Sequence, residues 1–200
     1  MFVQVITADV VNAEGLERQL RRWDEELRPT AVGFLGGTSG VTSDGKLIAL
    51  ARFESAEAAD INSERPEQAA WWVETEKCLA DVAFQNSTQV TPMRGGGSND
   101  AGFVQVMRGH VLDAEKMARL MARSAEFEAA LAEFRPDVIG DITVVHPDGS
   151  YTNAVYFTSQ AEARANESKE QPAEMAAMFE EWMSAVQIDE FLDLERPRLV

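Results

Sequence analysis

The sequence predicts an α+β fold made of two tandem copies of a β-α-β-β-α-β unit, on three observations. Phe2-Val3-Gln4-Val5 returns as Phe103-Val104-Gln105-Val106. The turn Ser43-Asp44-Gly45 returns as Pro147-Asp148-Gly149, and Phe53, Ser55 and Asn62 return as Phe157, Ser159 and Asn166, all at an offset of 104. The third is the shared order of elements behind each copy. A period near 100 residues is far above that of a solenoid, so this is one domain duplicated and fused. The predicted boundaries are 1–93 for the first copy, 94–100 for a linker (Arg-Gly-Gly-Gly-Ser-Asn-Asp, without periodicity) and 101–200 for the second.

Residues 2–9 alternate and are rich in β-branched types, which marks a strand with Phe2, Gln4, Ile6 and Ala8 on one face and Val3, Val5 and Thr7 on the other. Asn12 is an N-cap, and Leu16, Leu20, Trp23 and Leu27 draw one apolar stripe along a helix ended by Pro29. Residues 30–38 and 46–53 form a hairpin about Asp44-Gly45. Ser55 caps a short helix, 56–63, and Pro66 opens a longer one, to about residue 82, carrying Trp71, Thr75 and Cys78 inward. A weaker strand at 84–91 closes the unit.

The second copy repeats this with a strand at 103–110, a helix capped by Asp113 and ended by Pro136, strands at 137–145 and 150–157, a helix capped by Ser159, a last helix from Pro172 and a closing strand at 186–193. Its first helix is longer by about six residues, or roughly 9 Å. The order is that of a ferredoxin-like unit, an antiparallel sheet with helices on one face. Its other face needs a cover, and the second copy is the nearest candidate, so two ferredoxin-like sheets packed face to face as a pseudo-dimeric barrel are expected.

The formal charge of −16, from 34 acidic against 18 basic residues, argues against a nucleic-acid partner. No apolar run is long enough to span a membrane, and the start lacks the pattern of a signal peptide, so a cytoplasmic protein is expected. Cys78 is the single cysteine and there are two histidines, poor material for a metal site.

With these elements placed, each copy resembles the antibiotic-biosynthesis-monooxygenase-like domain of the dimeric α+β barrel superfamily. The resemblance rests on Gln4 in the first strand, Phe53-Glu54-Ser55-Ala56-Glu57-Ala58, Asn62 and Trp71-Trp72. It implies a monomeric pseudo-dimer or a higher homo-oligomer, and a pocket lined by Gln4, Asn62, Trp71 and Trp72 in copy one and by Gln105, Asn166 and Phe179 in copy two. It further implies a cofactor-independent oxygenase of small aromatic compounds, with Asn62 and Trp72 in the catalytic role. The haem-degrading branch takes its iron ligand from a histidine on the last helix, and neither 66–82 nor 172–183 holds one, so no haem or other cofactor is expected.

Oxygenation without metal or flavin needs neutral donors that stabilise a substrate anion away from water, and Gln, Asn and an indole N–H suit that task. The same residues also suit purely structural roles: Gln4 bonded within its strand, Asn62 closing a helix, Trp71 and Trp72 in the core. That alternative leaves a non-catalytic module for a small apolar ligand or a protein partner. His110, at the end of its strand, is the one candidate general base, in copy two, and it and His146 are otherwise rim residues. Arg52 shares a strand face with Leu50 and Ile48 and either pairs with a carboxylate or binds an anionic ligand. Copy one has Trp71-Trp72 where copy two has Met178-Phe179, so unequal pockets are expected.

Overall fold

The computed structural model describes all residues, Met1–Val200. The chain forms two compact units, one of Met1–Thr88 with Arg198–Val200, the other of Gln89–Pro197. Each contains a five-stranded antiparallel sheet with helices, and the two tandem ferredoxin-like copies are present. No helix is long and apolar enough to cross a membrane.

In the first unit the elements are β1 (Phe2–Val10), α1 (Ala13–Arg22), β2 (Phe34–Val41), β3 (Lys46–Phe53), α2 (Ala56–Ser63), α3 (Pro66–Glu76) and β4 (Leu79–Ser87). In the second they are β5 (Gln89–Met93), β6 (Phe103–Val111), α4 (Ala114–Ala122), α5 (Ser124–Phe134), β7 (Val138–Val145), β8 (Ser150–Phe157), α6 (Gln160–Glu167), α7 (Ala173–Ala185) and β9 (Val186–Leu194), and β10 (Arg198–Leu199) returns to the first. The sheet orders are β10-β2-β3-β1-β4 and β5-β7-β8-β6-β9. Gln89–Met93, expected with the first copy, thus lies in the second unit's sheet, and the C-terminal strand lies in the first unit's. Each such segment pairs along the edge of a hairpin strand, β7 or β2, that would otherwise be left open.

The N-caps read from sequence are in place: Asn12, Ser55, Asp113 and Ser159 each accept from the backbone N–H three residues on. The helix from Pro66 is shorter than expected. It ends at Glu76 because Cys78 turns its carbonyl to the N–H groups of Val11 and Asn12, which draws Leu79 into the ladder beside Val10. The long helix of the second copy breaks at Arg123, giving α4 and α5. In the first copy the corresponding stretch passes from α1 into a π-helical turn, Trp23–Leu27, and a 3₁₀ turn, Arg28–Thr30. Short π segments inside helices are frequently found at functional sites.

The central strands have two different faces. Val3 and Val5 of β1, and Val104 and Val106 of β6, are almost wholly buried on the face away from the helices. On the helix face, Phe2 packs with Phe53 and Ala58, and Ala8 with Leu16 and Leu47, so the two ends of β1 are sealed by α2 and α1. In the second unit Phe103 packs with Val138, Phe157 and Ala163, while Tyr151 packs with Met117 and Ala185.

Candidate functional site

Between those sealed ends, the helix face of the first sheet is open. The middle of each strand brings Ser39, Ala49 and Ile6 into one row and Gly37, Ala51 and Gln4 into the next, by direct cross-strand pairing. These six residues sit on inner strands yet are only half-buried, so solvent reaches the sheet's centre from the helix side. Gly37, Ser39, Ala49 and Ala51 are small enough to leave room, Ile6 is apolar, and Gln4 is the long polar member: its Nε2 donates to Oδ1 of Asn86 at 3.2 Å.

A series of six rings surrounds this strip. Phe53 meets Phe34 (centroids 5.5 Å apart), Phe34 meets Trp23 (5.0 Å), Trp23 meets Trp71 (6.5 Å), Trp71 meets Trp72 (5.9 Å) and Trp72 meets Phe84 (5.1 Å). The edge-on and tilted geometries are those aromatic pairs prefer. Two indoles are pinned: Trp71 Nε1 donates to the Gln19 carbonyl at 2.8 Å and Trp23 Nε1 to Gln68 Oε1 at 3.1 Å. Phe84, opposite Ile6 in the ladder, is 48 % exposed, a large apolar ring on an edge strand. Trp23, Phe34 and Phe84 join Gln4, Trp71 and Trp72 here; the sequence places Trp23 on the apolar stripe of the first helix and gives Phe34 and Phe84 no role. The signal that could have found them is position: all three flank the open rows.

The side-chain amide of Asn62 is fully hydrogen-bonded within the protein. Its Nδ2 donates to the carbonyls of Val32 and Ala58, both at 2.7 Å, and its Oδ1 accepts from Val32 N at 3.0 Å and Arg65 Nη1 at 3.4 Å. An amide has two N–H donors and two lone pairs, and all four are used. Asn62 and Arg65, which also donates to Leu27 O, Thr30 O and Thr30 Oγ1, hold the segment between the π turn and β2. The pair therefore positions Trp23 and Phe34 at either end of that segment, and the Asn62 amide serves there as a brace. In the second unit a bidentate bond from Arg135 to the buried Asp137 (3.0 and 2.8 Å) does this work, so Asn166 is half-exposed at the end of α6.

The other expected residues are dispersed. His110 projects from the opposite face of β6 to Gln105, is largely exposed, and has Nδ1 2.6 Å from Asp189 Oδ2. His146, expected at the rim, is buried, with Nε2 3.0 Å from Thr152 Oγ1; burial holds its pKa below the ordinary value against the opposing charge of Asp148, with a smaller lowering from Arg108. Phe179 is 45 % exposed on α7, and Trp182 instead packs inward, edge-on to Tyr151 at 5.9 Å. Arg52 is buried on the face away from the helices, beside Gly36, and its Nε has no hydrogen-bond partner.

In the second unit the equivalents of Gly37, Ser39 and Ala49 are Asp141, Thr143 and Asn153, and all three are buried. Asn153 Nδ2 donates to Asp141 Oδ2 at 2.8 Å and to Thr143 Oγ1 at 2.9 Å, and Thr143 Oγ1 donates to Asp141 Oδ1 at 3.4 Å. Desolvation raises the Asp141 carboxyl to about 7 despite these two donors. The same rows carry half-buried Gln105, Met107 and Val155. Gln105 Nε2 donates to Asp193 Oδ1 at 2.9 Å, as Gln4 does to Asn86. The signal for Asp141 in the sequence is a polar residue at an inward position of a strand, shared with Thr143 two residues on. No group of three or more His, Cys, Asp or Glu side chains is placed to hold a metal.

No protein-family model matches the chain, and no curated protein matches it in sequence. Solved structures do match it. A candidate monooxygenase from Fusobacterium nucleatum superposes over 99 % of this chain and 93 % of its own, with a TM-score of 0.73 at 8 % identity. An anthrone oxidase-like protein does so over 99 % and 92 %, with a TM-score of 0.66 at 9 % identity. The fold is that of tandem monooxygenase-like α+β proteins. A major regulator of staphylococcal pathogenesis, at 9 % identity and a TM-score of 0.53, also covers 98 % of both chains, so this architecture alone does not assign a reaction.

Two predictions follow from the site. Asn62→Ala removes the bonds that hold the Val32 N–H and carbonyl and the buried Ala58 carbonyl, and is expected to cost about 1–3 kcal/mol by chemical denaturation, whereas Asn166→Ala changes stability by less than about 0.5 kcal/mol. Asp141 has a folded pKa of about 7 against an ordinary 3.8, so its contribution is fully favourable below the lower value and is lost as pH rises through the upper one. Asp141→Asn removes this dependence. The variant should gain on the parent by roughly 3 kcal/mol between about pH 5 and pH 8, read from denaturation curves across that range.

Proposed function

We propose that the first unit binds a small planar aromatic molecule between its sheet and helices and that the protein oxygenates such compounds. The observation that carries the binding reading is the six-ring series around half-buried Gln4, Ile6, Ala49 and Ala51. A flat ligand resting on the short floor residues would meet ring edges and faces on its flanks, and each such contact adds to the area it buries. Gln4 supplies the polar contact: one amide hydrogen is held by Asn86, and the carbonyl oxygen and second hydrogen remain to orient a hydroxyl or carbonyl.

The oxygenase reading draws on the fold neighbours' descriptions. Its chemistry balances without a resident cofactor when the substrate has an acidic C–H or O–H. The substrate anion gives electrons to O₂, an activated methylene becomes a carbonyl holding one oxygen atom, and the second oxygen leaves as water. The protein's part is to exclude bulk water and to offer neutral donors to the developing anion.

One observation favours a second reading, a binding module without chemistry in this unit. The floor and ring wall of the first cleft contain no titratable side chain, so a general base must come from the ligand, solvent or elsewhere.

Titration with 1-naphthol, followed by tryptophan fluorescence, separates binding from its absence, and oxygen uptake with a panel of hydroxyaromatic compounds separates the two readings. Trp72→Ala removes the ring linking Trp71 to Phe84 and should weaken naphthol binding by roughly 10-fold or more, about 1.4 kcal/mol. Unchanged affinity would move the site elsewhere. Binding without oxygen uptake across the panel would leave the module reading.

A further inference from the structure

The two units provide an internal comparison. Their sheets share a fold, yet on the helix face one carries Gly37, Ser39 and Ala49 where the other carries Asp141, Thr143 and Asn153. The fold therefore does not need a carboxyl at this place. Burying one is costly, since no cation pairs with it and its two hydrogen bonds do not offset the loss of water. A costly group that the scaffold does without is a candidate for function.

The geometry is specific. Asn153 Nδ2 fixes Oδ2 of Asp141 at 2.8 Å and also holds the Thr143 hydroxyl at 2.9 Å, so the carboxyl has a set orientation. Oδ1 has only the long 3.4 Å contact from Thr143 and keeps lone-pair capacity. Across the ladder, Asp141 lies opposite Val155, and Val155 opposite Gln105, while Asn153 lies opposite Met107. The carboxyl is thus at the side of a half-buried floor made of an apolar strip and one amide.

We propose that Asp141, oriented by Asn153 and Thr143, is the proton-accepting group of a second ligand site, which takes small carbon acids or phenols with a flat apolar body resting on Val155 and Met107. The Asp141 carboxylate takes a proton from the ligand's C–H or O–H, becoming the neutral acid, and the electron pair stays on the ligand as an enolate or phenolate. Return of a proton from the carboxyl regenerates both partners. No oxidant takes part, and the site does not depend on the first unit's cleft or on oxygenation. A carboxyl titrating near 7 is suited to this work because both protonation states are populated at neutral pH.

The test is anaerobic exchange of the C1 hydrogens of 2-tetralone in D₂O, followed by NMR, with the full-length protein. In each turnover one C–H bond breaks, one C–D bond forms and the displaced hydrogen leaves in water. The parent protein is expected to accelerate exchange over buffer, with a rate that rises with pH and levels above about 7. Asp141→Asn, which removes the buried acid and keeps its shape, should lower the rate by roughly 100-fold or more while circular dichroism stays unchanged. Asn153→Ala, which installs the first unit's residue, should lower the rate and shift the pH midpoint. Exchange in Asp141→Asn within about twofold of the parent, or no acceleration by the parent, overturns the proposal.

Discussion

The structure depends on the period-two alternation of its central strand, imposed twice. β1 and β6 are each paired on both sides, so every second residue must go to the face away from the helices and the others to the helix face. The valines of the repeated Phe-Val-Gln-Val take the first face, where they are almost wholly buried. That choice forces the phenylalanine and the glutamine to the other, where the phenylalanine seals one end and the glutamine is left in the open middle. A slip of one residue would exchange the faces and bury the amide among valines, so the register that makes the core also makes the cleft.

What lies over the open rows is set by the elements that follow. In the first unit a π turn carries Trp23, a segment braced by Asn62 and Arg65 carries Phe34, and α3 carries adjacent indoles. In the second, a longer and broken helix, an Arg135–Asp137 bond and a last helix with Trp182 occupy these places. The duplicated floor has changed with the wall: small residues under six rings in one, a hydrogen-bonded carboxyl in the other. Duplication lets one copy keep a scaffold while the other alters it, and the two floors show such a divergence.

Much of this was legible in the sequence. Repeated strands, hairpin turns with glycine at a fixed place and Ser, Asp or Asn caps are local signals, so β3, β8 and α2 fell at their predicted residues. The end of α3 was not, because a long-range carbonyl contact at Cys78 decides it and Trp71, Thr75, Cys78 continue a helical period past the helix. The destination of Gln89–Met93 and Arg198–Leu199 was equally hidden, since which edge a short strand joins is decided by tertiary structure. At the site, Gln4, Trp71 and Trp72 were named from a resemblance. Asn62 shows its limit: a recurring Asn says that two copies share a position, whereas the structure shows its amide bonded to Val32, Ala58 and Arg65 in one copy and that bracing done by Arg135 and Asp137 in the other.

The central claim, that the two clefts have diverged and the first is the aromatic site, is tested most directly by the indole N–H signals of the four tryptophans during a 1-naphthol titration of ¹⁵N-labelled protein. Trp23, Trp71 and Trp72 belong to the first cleft and Trp182 to the second unit, so the chain carries its own control. The account predicts saturable shifts for Trp23, Trp71 and Trp72 together, with Trp182 displaced far less. Shifts confined to Trp182, or equal small drifts of all four without saturation, would contradict it.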